Sequence, residues 1–377
     1  MKKASSKISV IIPLYRDAEE LDNSLNALIN GKKHTEIIVV ADQPSKETIE
    51  ILSKYNGRIT TIINRERKGK VNALNKAINR AKGDLLIFLD NDVYPADDDF
   101  IEKIAEKMKN ADIGEVLKEI IITDSFISKM VYYDYISFNF SSYLFSRFLK
   151  KCIGFNGAAV AIWREALEKI GGFHPTVSED LDLGLKSFIK GLRYTFITET
   201  RVYNRAPQDF KEWFSQRKRW AIGAAIWVRD NWKTLLEILV KNPKVMLPSV
   251  FMIFPSLIVF ITFLTAYNHS LEKIALLTLL TLSSKVGFFL PITLLTAYGF
   301  FYFIFNNLII TILNLIIFSI LYYFASKKLR LQFKLRHFIT FYLLYNPLWL
   351  LIILGGLIRV LVLRKENVHD WVVSKGI

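Results

Sequence analysis

The first 90 residues alternate between short apolar runs and longer stretches with helical periodicity. Four runs rich in apolar and β-branched residues predict β-strands, at 8–14, 36–41, 59–63 and 84–89. Three of the four are almost entirely apolar, which is typical of parallel strands that are covered on both faces. Between the runs, apolar residues recur at helical spacing, for example at Leu21, Leu25 and Leu28. This alternation predicts an α/β domain with a Rossmann-like, mostly parallel sheet.

The last third of the chain has a different pattern, in which long stretches carry no charged residue. These stretches are 245–271, 286–326 and 337–358. Each exceeds the roughly 20 apolar residues that a helix needs to cross a bilayer. We therefore predict three crossings, at 245–268, within 286–326 and at 338–363. The middle stretch is alternatively a hairpin that turns at Asn306 and Asn307, which would give a fourth crossing.

Charge and cysteine content narrow the class of protein. The 377 residues include 50 Lys and Arg against 35 Asp and Glu, a net charge of +15. From residue 241 onwards there are thirteen Lys and Arg against three Asp and Glu. The positive excess thus lies beside the most apolar sequence and indicates contact with membrane lipids, with no role for nucleic acid. The single cysteine, Cys152, excludes a disulfide framework and is expected to be a small buried side chain.

Together these patterns predict two domains. Residues 1–240 are expected to form the α/β domain, with interfacial helices at its end, and residues 241–377 the transmembrane domain. A basic segment at 327–336 is expected at the cytoplasmic surface of the membrane, where positively charged segments are retained. No signal peptide precedes residue 8, so the α/β domain of this integral membrane protein is expected in the cytoplasm, at the cell membrane.

Polar and charged residues follow the predicted strands, at the sheet edge where α/β proteins bind their ligands. Asp42 ends the second strand, and the third leads into a basic run that ends in Gly69 and Lys70. The fourth is followed by Asp90 and, two residues later, Asp92. Such a pair of carboxylates suits one hard divalent cation, which often bridges substrate phosphates. Asp-x-Asp alone is a weak pattern because Asp is common in turns, but its position after a buried strand strengthens it.

Two later segments allow a functional and a structural interpretation. Glu179 and Asp180 follow Ser178, so they either supply a general base or form the acidic first turn of a helix with Ser178 as N-cap. The run 216–220, Gln-Arg-Lys-Arg-Trp, either binds a diphosphate and stacks on a sugar or anchors a helix at the membrane interface.

An aromatic-rich segment lies between these motifs, over 132–148, and carries few charges. One interpretation is an amphipathic element that lies on the bilayer. Ordinary packing of aromatic side chains in a core explains the pattern equally well. The sequence leaves both interpretations open.

Read together, these residues resemble glycosyltransferase family 2, in its membrane-embedded, cellulose-synthase-like branch. The resemblance covers about residues 8–223 and continues in the membrane region. Its motifs are Pro13 with Tyr15, Asp42, Gly69-Lys70 with Asn75, Asp90-Asn91-Asp92, Asn156-Gly157, Gly171-Gly172-Phe173, Glu179-Asp180 and Gln216-x-x-Arg219-Trp220. Their order and separations are more specific than any single motif.

The resemblance implies a GT-A fold and an inverting, metal-dependent transfer of a sugar from a nucleotide-sugar donor. Asp42 would contact the nucleobase, and Asp90 and Asp92 would bind Mn²⁺ or Mg²⁺. Asp180 would deprotonate the acceptor hydroxyl with support from Glu179. The full donor-binding set would be Pro13, Tyr15, Asp42, Lys70, Asp90, Asn91 and Asp92. The acceptor and diphosphate set would be Asn156, Gly157, Gln216, Arg219 and Trp220.

The chain departs from the family pattern at two places. Ala41 replaces the acid that commonly precedes Asp42, and Asn204 and Arg205 stand before Ala206-Pro207, where relatives often have an acid. The first departure bears on the nucleobase, which leaves both GDP- and UDP-linked donors open. The second bears on local contacts with the acceptor.

The chain resembles compact archaeal enzymes that transfer mannose to lipid-linked acceptors. We therefore expect transfer from GDP-mannose to a polyprenyl- or dolichyl-phosphate-linked acceptor, as in glycan or N-glycan precursor biosynthesis. A processive polysaccharide synthase of the cellulose or hyaluronan type is the alternative, which ranks lower because three crossings form only part of a polymer tunnel. A non-catalytic membrane scaffold with a degenerate transferase domain is the alternative of another class, and the intact metal and base motifs argue against it.

Overall fold

The computed structural model describes residues 7–17, 20–30, 35–265 and 308–365, which fall into two compact units. The described residues up to Ile121, with those from Ser142 to Arg205, form one unit, which we call the α/β unit. Those of Ile122–Ser141 and from Ala206 onwards form the second, which we call the helical unit. The helical unit thus takes up a short segment from within the first half of the chain.

The α/β unit is built on one eight-stranded sheet. Its strands are β1 (Ile8–Tyr15), β2 (Thr35–Asp42), β3 (Thr60–Asn64), β4 (Leu85–Leu89), β5 (Val93–Pro95), β6 (Ile113–Ile121), β7 (Ala159–Trp163) and β8 (Tyr194–Arg205). The strand order is β3-β2-β1-β4-β7-β6-β8-β5. The first four strands in this order are parallel, β7 is antiparallel to both of its neighbours, and β6 and β8 are parallel. The predicted mostly parallel sheet of the GT-A type is therefore confirmed.

Helices lie between the strands of this unit. They are α1 (Leu21–Asn30), α2 (Lys46–Lys54), α3 (Lys70–Arg80), α4 (Phe100–Met108), α6 (Arg164–Lys169) and α7 (Glu179–Ile189). Helix α1 contains the helical spacing noted at Leu21, Leu25 and Leu28. The sheet residues Ile11, Val39 and Ile87 are completely buried, which explains why the central strands are apolar throughout. Leu21 and Leu25 of α1 are buried in the same core.

The register of the parallel strands brings their carboxyl ends to one edge. Tyr15 at the end of β1 is paired with Asp42 at the end of β2, and Asp42 is paired with Asn64 at the end of β3. Asp90 directly follows β4, which pairs with β1 on its other side. The polar residues that are separated along the chain therefore meet at this edge, as the rule for open α/β sheets predicts.

The helical unit consists of long helices. They are α5 (Phe126–Leu144) as far as Ser141, α8 (Phe210–Lys241), α9 (Pro243–Ile253), α10 (Ser256–Thr265), α11 (Leu308–Leu329) and α12 (Leu335–Val362). The end of α5 and the π-helical turn that continues it at Phe145–Leu149 belong to the α/β unit. The helix α12 contains two further π-helical turns, at Phe341–Tyr345 and Ile358–Val362. Tyr132, Tyr133 and Tyr135 of α5 are buried inside this unit, so at these positions the aromatic-rich segment is core packing.

Two helices among the described residues are long and apolar enough to cross a membrane, by length and composition. They are Thr311–Leu329 and Leu335–Val362, which correspond to the predicted second and third crossings. The predicted first crossing at 245–268 lies on α9 and α10, which are separated at Phe254 and Pro255, and its last three residues lie outside the described residues. The proposed hairpin turn at residues 306 and 307 also lies outside them.

Candidate active site

Asp42 organises the turn that begins helix α3. Its buried carboxylate accepts hydrogen bonds from the backbone N–H groups of Lys68 (2.8 Å) and Gly69 (2.7 Å) and from the side-chain amide of Asn64 (3.2 Å). Gly69 has a φ of 88°, a left-handed conformation that favours glycine, and the next residue, Lys70, is the first of α3. These three hydrogen bonds hold the Asp42 carboxylate in place at the sheet edge.

Three other residues of the predicted donor set lie near the same strand ends. The Arg67 guanidinium stacks over the Tyr15 ring, 4.2 Å from its centroid. Asn91 donates a hydrogen bond from its side-chain amide to the carbonyl oxygen of Asp17 (3.3 Å). Pro13 lines the pocket that is described below. The structure brings these residues together with Asp42 around one edge of the sheet.

Lys70 joins two carboxylates that come from distant parts of the chain. Its ammonium nitrogen lies 2.7 Å from Asp90 Oδ1 and 2.7 Å from Glu179 Oε1. Burial by itself lowers the pKa of Lys70, but attraction to Asp90 and then to Glu179 outweighs burial, so the pKa is raised and the side chain stays charged. The ion pairs of Lys70 thus bring Glu179 close to Asp90.

Asp180 lies beside this ion pair in the first turn of α7. Its Oδ2 accepts a hydrogen bond from the backbone N–H of Gly157 (3.3 Å). A Cβ on Gly157 would lie 2.9 Å from the Asp180 Cβ, so only glycine permits this approach. Burial raises the pKa of Asp180 to about 6, with the negative charge of Glu179 as the second cause. A carboxylate with this pKa is deprotonated near neutral pH and suits a general base.

The carboxylates of Asp90, Glu179 and Asp180 line one pocket of about 320 Å³ within the α/β unit. Its wall is apolar over most of the remaining surface. The lining residues are Pro13, Lys70, Leu74, Phe88, Asp90, Phe155, Gly157, Val160, Phe173, Glu179, Asp180 and Leu183. A pocket with apolar walls and a few convergent charged groups is typical of a small-molecule site.

The residues around Asp90 fit a divalent cation. Burial raises the pKa of Asp90, attraction to Lys70 opposes this, and the charges of Asp92 and Glu179 add to it. Negative charges therefore outnumber the single ammonium group, and carboxylate oxygens are the ligands that Mg²⁺ and Mn²⁺ accept. No group of three potential metal ligands occurs among the described residues. Two protein carboxylates with further oxygens from a diphosphate and water match the usual binding of Mg²⁺.

Glu115, in the middle of β6, is a residue of this region that the sequence interpretation missed. Its carboxylate accepts a hydrogen bond from the backbone N–H of Asn156 (3.1 Å), the residue before Gly157. Burial raises the pKa of Glu115 to about 7. The available signal was an acid close to the apolar residues Ile113, Val116 and Leu117 of the same strand.

The run 216–220 belongs to α8 of the helical unit. Arg217, between the motif residues, is completely buried and lies 2.9 Å from the carboxylate of Asp134. Its guanidinium stacks over Trp220 (4.3 Å to the ring centroid) and over Trp349 (5.2 Å). Trp220 therefore contacts Arg217 within the helical unit, and Gln216, Arg219 and Trp220 are all half-buried. A role of these three motif residues at the pocket stays a prediction.

Known proteins resemble both the sequence and the fold. A model of "Glycosyl transferase family 2" matches residues 9–171. The "Probable glycosyltransferase YdaM" of Bacillus subtilis is 26% identical over 234 residues, which make up 59% of this chain and 56% of that protein. The "Glucomannan 4-beta-mannosyltransferase 1" of Oryza sativa subsp. japonica is 28% identical over 263 residues, 63% of this chain and 48% of that protein. The chain thus spans about half the length of these relatives.

One solved structure has a similar fold over most of the chain. It is the "Mannosyltransferase PcManGT from Pyrobaculum calidifontis in complex with GDP-Man and Mn2+". The TM-score is 0.52 at 17% identity, and the match covers 79% of this chain and 85% of that chain. The observed sheet, the motifs at its edge and these similarities agree. Residues 9–171 thus match the domain of glycosyltransferase family 2.

Proposed function

We propose that this protein is an inverting, metal-dependent glycosyltransferase that adds a sugar from a nucleotide-sugar donor to a lipid-linked acceptor. The observation that carries the proposal is the pocket that contains both a charged Lys70 between two acids and a separate carboxylate, Asp180, with a pKa near 6. An inverting displacement needs these two functions, because the departing diphosphate is negative and the attacking hydroxyl must lose a proton.

In this reaction the acceptor hydroxyl oxygen attacks the anomeric carbon of the donor sugar. Asp180 accepts the hydroxyl proton as the new carbon–oxygen bond forms. The bond between the anomeric carbon and the diphosphate oxygen breaks, and its electron pair leaves with the nucleoside diphosphate. Lys70 holds the phosphates, and Glu179 keeps Lys70 in position. No covalent intermediate with the protein is required, so Cys152, which is buried as expected, takes no part.

Asp90 and Asp92 would hold Mn²⁺ or Mg²⁺ in this site. When bound, such a cation offsets the charge that develops on the departing diphosphate. The similar archaeal mannosyltransferase is described in complex with GDP-Man and Mn2+, which supports Mn²⁺ and GDP-mannose as the first choices to test. Tyr15 and Asp42 lie at the edge of the sheet where the nucleobase would bind. The Asp42 carboxylate already accepts hydrogen bonds from the backbone N–H groups of Lys68 and Gly69, which favours a role in holding the loop at that edge.

A lipid-linked acceptor of the polyprenyl- or dolichyl-phosphate type is supported by the helical unit. On α11, Ile312, Leu313, Ile316 and Ile320 are each 45–53% exposed, although all are apolar. Such a face is unfavourable in water and favourable in lipid. We therefore propose an integral membrane protein with its catalytic domain in the cytoplasm and with Lys327, Lys328 and Arg330 at the cytoplasmic surface.

A processive polysaccharide synthase is the second candidate, because some relatives carry such names. The "Poly-beta-1,6-N-acetyl-D-glucosamine synthase" of Staphylococcus epidermidis is 24% identical over 236 residues, 60% of this chain and 57% of that protein. Single addition ranks first because the three predicted crossings would form only part of a polymer tunnel.

The decisive experiment is a panel of nucleotide sugars tested with Mn²⁺ in detergent. GDP-mannose, UDP-glucose and UDP-N-acetylglucosamine would each be incubated with the purified protein and dolichyl phosphate, and products read by mass spectrometry. We expect one added hexose and release of GDP from GDP-mannose. A ladder of masses would instead establish the polymer synthase, and hydrolysis or transfer of none of the donors would contradict catalysis.

A further inference from the structure

Glu115 is a buried acid that neither the family motifs nor the proposed reaction uses. It lies in the middle of β6, where the neighbouring positions Ile113, Val116 and Leu117 are buried apolar side chains, and it is only 3% exposed. Burying an ionisable group is unfavourable unless hydrogen bonds compensate for the lost water. The contacts of Glu115 therefore indicate why an acid stands at this position.

Two consecutive backbone amides connect Glu115 with Asp180. The N–H of Asn156 donates to Glu115 Oε1 (3.1 Å), and the N–H of Gly157 donates to Asp180 Oδ2 (3.3 Å). The other carboxylate oxygen of Glu115 accepts a hydrogen bond from the hydroxyl of Tyr194 (2.6 Å). One peptide unit thus separates a fully supported buried acid from the carboxylate at the pocket wall.

The surrounding contacts restrict how the turn with Asn156 and Gly157 can move. The Phe155 ring stacks on the Tyr194 ring with 7° between their planes. On the side of Asp180, a Cβ on Gly184 would lie 2.6 Å from the Gly154 Cα, so α7 approaches this segment as closely as glycine allows. The turn is therefore held between Tyr194 and Glu115 on one side and α7 on the other.

We propose that Glu115 is a positioning residue for Asp180. It anchors the turn of Asn156 and Gly157, and the Gly157 amide then fixes the carboxylate that accepts the proton from the acceptor. The inference rests on the proposed function, in which Asp180 is the base. Glu115 itself is separated from the pocket by the turn and touches no substrate.

The charge of Glu115 adds a pH-dependent readout. The groups that face it are Tyr194 on β8, Ser142 on α5, the Cys152 thiol and Asp180 on α7. Burial raises the pKa of Glu115 to about 7, and the charge of Asp180 adds to this, so Asp180, with a pKa of about 6, ionises first. Ionised Glu115 is the stronger acceptor for the Asn156 amide. We therefore expect kcat to rise in two steps.

The test compares Glu115→Met, Glu115→Gln and Tyr194→Phe, with GDP-mannose, Mn²⁺ and dolichyl phosphate in detergent. Because the turn loses its acceptor in Glu115→Met, we expect kcat to fall by about 10- to 100-fold with donor KM unchanged within about twofold. Glu115→Gln keeps an acceptor oxygen and should restore most of kcat while losing the second, higher step. Tyr194→Phe should show a smaller loss of kcat in the same direction.

The matched control is Glu119→Gln, the same change on the same strand, where the carboxylate pairs with Arg201 away from the turn. Its kcat and pH profile should equal those of the unchanged protein. A wild-type profile in both Glu115→Gln and Tyr194→Phe, or a loss that falls on donor KM, would overturn the proposal. If Glu115→Met does not fold, these two variants decide the question.

A second measurement needs no substrate. Amide hydrogen exchange of residues 153–158 should be faster in Glu115→Gln and Tyr194→Phe than in Glu119→Gln, because the turn has lost part of its anchor. Unchanged exchange would overturn the anchoring role. Turnover retained in Asp180→Asn would instead overturn the base assignment, so the two failures are distinguishable.

Discussion

Each unit of the molecule contains a cluster of opposite charges, and the two clusters differ in what covers them. In the α/β unit, Lys70 joins Asp90 and Glu179 at the wall of a pocket, with the Lys70 and Asp90 side chains 25% and 27% exposed. In the helical unit, Asp134 and Arg217 are both 0% exposed. The first cluster is open to a ligand, and the second is sealed.

The surroundings explain what each cluster can do. The open cluster has more acids than bases, so it can accept a cation and a charged donor. The sealed cluster is a single pair, and Asp134 also accepts a hydrogen bond from the Tyr345 hydroxyl (2.7 Å), which in turn accepts one from the Trp213 indole (2.9 Å). These contacts join α5, α8 and α12. Changes in the open cluster should therefore affect binding and rate, and changes in the sealed cluster should affect stability.

The largest expected effect is on catalysis. Asp180→Asn should reduce transfer by about 10²- to 10⁴-fold, because the amide cannot accept the hydroxyl proton. Donor affinity, measured by titration calorimetry with GDP-mannose and Mn²⁺, should stay nearly unchanged. Asp182→Asn is the matched control, since Asp182 pairs with Lys186 on the same helix. Transfer that persists in Asp180→Asn would remove this residue from the role of base.

The largest expected effect on stability is in the sealed cluster. Arg217→Ala should lower the free energy of unfolding by about 3–5 kcal/mol, because it leaves Asp134 buried without its partner. Chemical denaturation in detergent would measure it. Lys241→Ala breaks the exposed pair with Glu237 on the same helix and should leave the free energy of unfolding nearly unchanged, because water screens an exposed pair. Equal losses of unfolding free energy in both variants would contradict the conclusion that the Asp134–Arg217 pair is shielded from water.

Removal of Lys70 should change metal and donor binding in opposite directions. Lys70→Met should weaken binding of GDP-mannose by about tenfold or more, because a charge-assisted contact with phosphate is lost. Binding of Mn²⁺ alone should tighten, since the ammonium group no longer occupies Asp90. Calorimetry would measure both affinities.

Two further variants sharpen this prediction. Lys76→Met removes a lysine of the same helix that donates to Asn64 and should leave Mn²⁺ affinity unchanged. Asp92→Ala should weaken Mn²⁺-dependent donor binding, because it removes one of the two proposed ligands. Mn²⁺ affinity that is unaltered in Lys70→Met, or metal-dependent donor affinity that is unaltered in Asp92→Ala, would count against the proposed metal site.

The smallest effect is on the pH dependence. Burial raises the pKa of Asp180 to about 6, so below this pH the protonated carboxyl cannot act as a base. We expect the lower of the two steps in kcat to lie at about pH 6, where kcat falls as the pH drops. Rate measurements between about pH 5 and 8 would check this. A rate that stays constant to pH 5 would contradict the assignment.

Much of the fold and half of the site follow from local sequence patterns. The apolar runs predict β1, β2, β3 and β4 to within one residue at each end. For β1, β2 and β4 the reason is that strands buried on both faces tolerate few polar side chains. The positions of Asp42, Asp90 and Asp92 follow from the same strands, since the carboxyl ends of parallel strands share one edge.

In the helical unit, local sequence patterns do not predict which residues meet or where a helix ends. The spacing of the Gln216 motif predicts a role for Arg219. In the structure the buried arginine is Arg217, which forms an ion pair with Asp134, a residue more than 80 positions earlier. The break between α9 and α10 at Phe254 and Pro255 interrupts a stretch that reads as one continuous apolar helix. Proline restricts the residue before it and removes a backbone donor, but its neighbours decide whether a helix bends or ends.

By itself the sequence determines the strand–helix alternation, the acids at the strand ends and the apolar stretches, because each depends on side chains that are neighbours along the chain. Only the tertiary structure decides that Lys70 lies between Asp90 and Glu179 and that backbone N–H groups donate hydrogen bonds to the Asp42 carboxylate. The same holds for the hydrogen bond by which Glu115 supports the turn next to Asp180. Those contacts join residues that are 20 to more than 100 positions apart. Hydrogen bonds and ion pairs act over a few ångströms, so the path of the backbone sets which polar groups can meet.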